Sequence, residues 1–296
     1  MLVVNNKIEN GEVTVVNEDR AGEGVVLTHN GVFHADEITA IALLVIFGVV
    51  VNTIVRTRDV DTIENFKSSK EGLLIDIGGE FNPDNGIFDH HHERDGVGGK
   101  ASAGIIADML KISEDKYPSL SRLIAEVDAQ DIGSKLNEPN HFSNIIKSYN
   151  VITPFGEDNN NAFEEALRFT VRYLLNLKIQ DEADYADKLE IEKAKVINIA
   201  GVDIVVRGKS DKFIMAAKFA GKADLVISYD AQQNCWSVQT APIKAGDFAS
   251  KYKLVKGAKG EVFTHPAGFI SKLKAEGGKI YPIIDSVGEV EISVEE

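Results

Sequence analysis

Val25-Val26-Leu27-Thr28-His29-Asn30-Gly31-Val32-Phe33-His34-Ala35-Asp36-Glu37 decides the fold. Four residues suited to a buried strand end in a histidine. A short turn follows, and Ala35 to Phe47 then has the length and composition of a helix that Gly48 stops. The pattern recurs downstream. Val49 to Thr57 reads as a buried strand, Asp59 to Lys67 as a helix, and Leu73 to Ile77 as a strand closed by Gly78-Gly79. Alternation of this kind predicts an α/β fold whose parallel sheet carries helices on both faces. In such sheets ligands collect beyond the carboxyl ends of the strands. His29 and Asp76 stand at such ends, and Asp89 follows a weaker strand, Gly86 to Phe88.

Farther along, Ser102 to Ile112 and Leu120 to Val127 read as helices. From Asn159 to Ile197 the chain is strongly helical, with Phe163, Leu167, Val171, Leu174 and Leu175 spaced for one apolar face. Short strand-like runs return at Val202 to Val206, Leu225 to Tyr229 and Trp236 to Thr240. The expected organisation is a catalytic domain over residues 1–155, a helical connector over 156–200 and a smaller α/β domain over 201–296. A length of 296 residues is ample for two cores.

Five of the seven histidines fall at 29, 34, 90, 91 and 92, interleaved with Asp36, Asp76 and Asp89. Imidazole and carboxylate without thiolate is the donor set of a catalytic divalent cation. The five-residue step from His29 to His34 misfits one face of a helix but fits a loop between strand and helix, and Gly31 lets that loop turn tightly. Isolated histidines more often cap helices or bond within cores; two with a carboxylate in eight residues favour a metal. Asp76, after three apolar residues, needs a cation or several hydrogen bonds to stay ionised, although capping through Gly78-Gly79 is an equal alternative. In Asp89-His90-His91-His92 successive side chains point to opposite sides, so one histidine can bind metal while its neighbour faces substrate. Asp89 resembles the carboxylate that orients an imidazole. Asp128 and Asp131, three apart on a helix end, each could complete a two-metal site or form a solvated acidic terminus.

The net charge of −14 disfavours a long electrostatic track for nucleic acid. The single Cys235 excludes an internal disulfide and suits a cytoplasmic setting. Met1 to Asn10 does not read as a secretion signal, and the longest apolar stretch, Ile41 to Val51, falls far short of the roughly 20 residues a membrane span needs.

His29 to Glu37, Val55-Arg56-Thr57-Arg58-Asp59, Ile75-Asp76-Ile77-Gly78-Gly79 and Phe88-Asp89-His90-His91 occur in one order that resembles the melanocyte proliferating gene one (Myg) family. Its members are metal-dependent hydrolases related to the DHH phosphoesterases, and include 3′ to 5′ exoribonucleases. The resemblance runs through most of the first 135 residues. Ser102-Ala103-Gly104 and Asp128-Ala129-Gln130-Asp131 extend it, and Trp236 to Gln239 and Phe263 to Ile270 echo it. It implies a DHH-like first domain in which His29, His34 and Asp76 hold one cation, and Asp36, Asp76, His90 and one of Asp128 or Asp131 hold another.

His91, supported by Asp89, would face the phosphate, with Arg56, Arg58 and His265 as candidates for binding the substrate's other groups. His34 stands where most DHH enzymes place an aspartate one residue farther along. His92 replaces a usual glutamine, and Ser271-Lys272 replaces an expected glycine pair. The expected cofactors are two divalent ions about 3.5 to 4 Å apart, Mn²⁺ first, with Mg²⁺, Zn²⁺ and Co²⁺ as alternatives. The expected reaction is phosphodiester hydrolysis on RNA or short oligonucleotides. A small nucleotide or other small phosphoester is the alternative substrate, and a noncatalytic metal-binding regulator the rival from another class. A homo-oligomer is a candidate assembly for the chain, and no membrane partner is expected. A structural zinc module fits poorly, because the ligands spread over some 100 residues and include no cysteine.

Overall fold

In the computed structural model the described residues are 15–16, 24–70, 72–134, 141–150 and 159–295. Chain contacts divide the protein into two compact units, Met1–Tyr185 and Ala186–Glu296. The expected boundary at 155/156 falls outside the described residues.

The first unit is built on a six-stranded sheet ordered β1-β3-β2-β4-β6-β5. Its strands are β1 (Val15–Val16), β2 (Val25–Thr28), β3 (Thr53–Arg56), β4 (Gly72–Ile75), β5 (Phe81–Asn82) and β6 (Ile87–Phe88). All neighbours are parallel except β5, which pairs antiparallel with β6. The α/β class and the parallel sheet therefore stand as read from the sequence. Val49 to Thr57 shortens to β3, because only its last residues pair with β2. Thr53 begins there, with its N–H donating to the Gly24 carbonyl at 3.2 Å.

Helices close both faces. Helix α1 (Ala35–Ile46) is buried along all its residues, so it lacks the polar stripe of a surface helix. It joins α3 (Ser102–Met109), α4 (Pro118–Asp131), α5 (Phe142–Tyr149) and the start of α6 (Asn160–Lys193) around the larger core. The opposite face is covered by α2 (Val60–Ser69), whose Phe66 packs with Val25, Leu27, Leu74 and Ile87. Alternation along β2 sends Val25 and Leu27 to that face and Val26 to the other. Asp59 caps α2 by accepting the Thr62 N–H at 2.9 Å.

The second unit contains a sheet ordered β12-β13-β10-β9-β8-β7 and a smaller one ordered β11-β14-β15, with β16 also on β14. Its strands are β7 (Val196–Ile199), β8 (Val202–Val206), β9 (Leu225–Asp230), β10 (Cys235–Thr240), β11 (Leu254–Lys259), β12 (Glu261–Thr264), β13 (Ile270–Leu273), β14 (Lys279–Ile284), β15 (Gly288–Glu289) and β16 (Ile292–Ser293). Strands are far more numerous here than the three runs read from sequence. No described helix is long and apolar enough to cross a membrane.

Candidate metal centre

Strands β2, β4 and β6 lie side by side and parallel, in the register Leu27↔Leu74 and Ile75↔Phe88. Their carboxyl ends therefore deliver His29, Asp76 and Asp89-His90-His91 to one place. Asp76 adopts a left-handed backbone, with φ 57°. A non-glycine residue held there stores strain, a cost usually tolerated where it aims a functional group. Here it aims a buried carboxylate at imidazoles on both sides. Asp76 Oδ2 lies 3.2 Å from His29 Nε2, and Oδ1 lies 3.2 Å from His90 Nε2 and 3.3 Å from His91 Nδ1.

The His29–His34 loop is fastened from three directions. Arg56 donates through Nη2 to the Gly31 carbonyl at 2.7 Å and through Nη1 to Asn159 Oδ1 at 2.7 Å and Asn160 Oδ1 at 3.0 Å. Its guanidinium carbon stands 4.4 Å from the Phe163 ring centre. Asn150 Oδ1 accepts the Phe33 N–H, and Asn150 Nδ2 donates to the Phe33 carbonyl. Gly31, at φ 81°, makes the turn that exposes its carbonyl to Arg56. The loop ends at α1, where the His34 N–H donates to Glu37 Oε1 at 2.8 Å. This bond stations Glu37 Oε1 within 3.3 Å of His29 Nε2.

Three overlapping donor groups result: His29, His34, Glu37 and Asp76; Asp76, His90 and His91; and His34, Asp36 and Asp131. Within each, ligand atoms lie within 4.8 Å of one another. His90 Nε2 links the last two, at 3.0 Å from Asp131 Oδ2 and 3.8 Å from Asp36 Oδ2. Asp36 is fully buried, and neither of its oxygens has a hydrogen-bond partner; Glu37 Oε2 is likewise buried and unpartnered. Buried anionic oxygens without donors are costly in protein alone and are the normal surroundings of a divalent cation. The residues present therefore fit a metal.

Electrostatics agree with crowded acids awaiting positive charge. Burial, then the charges of Asp76 and Asp131, push the Asp36 carboxyl well above the usual range. Burial likewise raises Glu37. Asp76 moves the other way: burial opposes ionisation, but the His29 and His90 imidazoles hold it below its ordinary value. Burial works against protonated His90, yet the Asp131 and Asp76 carboxylates bring its pKa to about 10. Without metal, protons on the imidazoles supply the counter-charge, so metal binding must displace them.

Of the residues expected at the site, His29, His34, Asp36, Asp76, His90, His91 and Asp131 gather in these groups. Asp128 does not join them. Its Oδ1 accepts the Ala101 and Gly104 N–H groups at 3.2 and 2.9 Å, at the start of α3, and burial raises its pKa to about 7. A Cβ on Gly104 would fall 2.0 Å from Asp128 Oδ2, so this approach requires glycine. Asp89 accepts the Gly79 N–H at 2.6 Å and stands 2.8 Å from His91 Nδ1, orienting His91 rather than His90. Arg56 is only 1% exposed, its guanidinium turned to the loop instead of to solvent. Arg58 Nη2 lies 3.1 Å from His29 Nδ1.

His265, in the second unit, accepts the Ala267 N–H through Nδ1 and packs against the Phe269 ring at a 41° tilt. His92 pairs with Glu93, Ser271 with Thr264, and Lys272 with Asp230. Glu37, which joins the first donor group, is absent from the sequence expectation, because an acid at the third position of a helix reads first as a capping residue. Its signal was the second of two consecutive acids opening a helix of otherwise apolar residues.

Residues 25–106 match the model of an uncharacterised protein family, UPF0160, which carries the name MYG1_exonuc. The MYG1 protein of Chlamydia trachomatis serovar D is 38% identical over 159 residues, 51% of this chain and 53% of that one. The MYG1 exonuclease of Mus musculus is 26% identical over 306 residues, 82% and 79% of the two chains. The chain thus spans about half the length of the first curated relatives it matches. A solved structure, the pGpG-specific phosphodiesterase PggH from Vibrio cholerae, aligns over 76% of this chain and 84% of its own at a TM-score of 0.32 and 10% identity. At that score the likeness bears on neither fold nor function. Over the sheet that carries the donor groups, this chain is therefore similar to the MYG1_exonuc family model, and the relatives it matches carry the MYG1 name.

Proposed function

We propose that the chain is a divalent-metal-dependent phosphodiesterase acting on RNA or short oligonucleotides, removing nucleotides in the 3′ to 5′ direction. The observation that carries the reading is the buried, donorless carboxylate of Asp36 beside Asp76, Asp131 and three imidazoles. The relatives named exonucleases support the substrate class.

His29, His34, Glu37 and Asp76 would hold one cation, and Asp36, Asp76, His90 and Asp131 the other, with Mn²⁺ the first choice for this mixed nitrogen and oxygen set. Two such ions acidify a coordinated water and neutralise charge on the phosphoryl oxygens. The protein's own part begins with Asp76, whose left-handed backbone sets Oδ2 beside His29 and Oδ1 beside His90 and His91, so that it would be a ligand in both sets. Asp89 fixes His91 through Nδ1, leaving Nε2 of this side chain, 60% exposed, to donate to a phosphoryl oxygen. Arg56 keeps the His29–His34 loop in place, and Arg58 is proposed to contact the rest of the substrate.

The test is degradation of an end-labelled oligoribonucleotide with Mn²⁺, compared with dinucleotides and mononucleotides, for the parent chain and Asp76→Asn. Stepwise release of nucleotides by the parent alone supports the reading. Hydrolysis of small phosphoesters only would move the substrate to that class, and equal activity in Asp76→Asn would remove Asp76 from the reaction. No hydrolysis despite tight metal binding would favour a regulator.

A further inference from the structure

Next to the donor groups the first unit has a cleft of about 280 Å³ whose lining includes His34, Asp36 and Asp131 together with Gln130, Ser143 and Lys147. Helix α5 supplies Ser143 and Lys147. Phe142 and Ile146 are buried in the core, and this anchoring turns Ser143 and Lys147, one helical turn apart, toward the cleft. Gln130 is fixed by its contact with His141, at the start of α5. Among the cleft-lining residues Lys147 alone carries a permanent positive charge, and among the described residues its ammonium has no carboxylate partner.

That isolation is chemically pointed. Asp36 and Asp131 make the cleft acidic and the whole chain carries −14, so an anion entering here meets repulsion except at any cation bound there and at this one lysine. A cation held by Asp36 and Asp131 would neutralise one phosphate. An ammonium in the same cleft is a point charge suited to another. We propose that Lys147 holds a second phosphate of the substrate, adjacent to the scissile one, and so makes the chain favour substrates bearing two or more phosphates over single diesters. Ser143 supplies a hydroxyl to the same group. This inference rests on the phosphodiesterase reading and names its substrate class more narrowly.

The experiment compares parent, Lys147→Ala and Lys147→Arg in Mn²⁺ on 5′-phosphorylated diadenylate, which has two phosphates, and on unphosphorylated diadenosine monophosphate, which has one. Lys147→Ala is expected to raise KM for the first by roughly ten- to a hundredfold, the usual weight of a charge-assisted contact, with kcat little changed. KM for the second should stay put, and Lys147→Arg should recover most of the loss. A binding arm does not depend on turnover: calorimetry in Ca²⁺ should show Lys147→Ala weakening adenosine 3′,5′-bisphosphate more than adenosine monophosphate. Equal losses on both ligands, or no loss on either, would overturn the proposal. If the parent hydrolyses neither dinucleotide, the phosphodiesterase reading fails, and the binding arm still decides whether Lys147 selects a second phosphate.

Discussion

Replacing Asp36 by asparagine should have opposite effects on the metal-free and metal-loaded protein. In the parent, both carboxylate oxygens are buried without donors, and the neighbouring Asp76 and Asp131 charges add repulsion. The amide keeps the shape, removes the charge, and offers N–H donors to those neighbours. Relief of a buried unsatisfied group is worth about 1 to 3 kcal/mol. For a unit of this size that corresponds to about 2 to 4 °C per kcal/mol, so the variant treated with chelator should melt roughly 2 to 12 °C above the parent.

With metal the order changes. At a hundredfold excess over Kd the parent gains about 2.7 kcal/mol from binding. Losing a ligand should weaken binding by at least the roughly 10- to 100-fold that outer partners cost, which removes half or more of that gain. Scanning calorimetry with EDTA and with Mn²⁺ reads both numbers. A variant that melts lower without metal yet keeps the full metal-induced shift would refute the reasoning, because Asp36 would then be a structural acid.

The other residues give sharper separations of role. Glu37→Gln keeps the acceptor for the His34 N–H, so calorimetric Mn²⁺ titration should show affinity down at least roughly 10- to 100-fold while the metal-free melting point does not fall. Arg56→Lys cannot reproduce three planar donor bonds; unfolding in urea should show a loss of about 3 kcal/mol, and an unchanged midpoint would deny Arg56 its strut role. Asp128 has a raised folded pKa, so its contribution to stability is full below its unfolded value and is lost as pH climbs from about 4 to about 7. Asp128→Asn retains an oxygen for Ala101 and Gly104, and its urea midpoint should fall less than the parent's across that window; identical slopes would disprove the assignment.

The strand–helix alternation from Val25 to Ile75 was legible because each element there has one dominant signal: β-branched runs, a glycine stop after α1, an Asp59 cap on α2. From it followed the parallel sheet and the row of strand ends that carries His29, Asp76 and His90. Strands β11 to β16 were not legible. β11 and β12 do not alternate regularly between buried and exposed, and β15 and β16 are only two residues long, so long-range pairing rather than local preference makes these four strands. Asp128 and Asp131 could not be separated on sequence grounds, since their spacing suggests a shared face. Only the packing of α3 against α4 sends Asp128 to two backbone amides and leaves Asp131 beside His90. Arg56 read as a substrate arginine because nothing local announces that Gly31, Asn159 and Asn160 will surround it.

The central claim is that separate strand ends converge on a cage for two cations that share Asp76. Anomalous-difference density from crystals soaked in Mn²⁺ tests it most directly. The account expects two peaks flanking Asp76, one within ligand distance of His29, His34 and Glu37 and the other of Asp36, His90 and Asp131. A single peak away from Asp76, or none at saturating Mn²⁺, would contradict it.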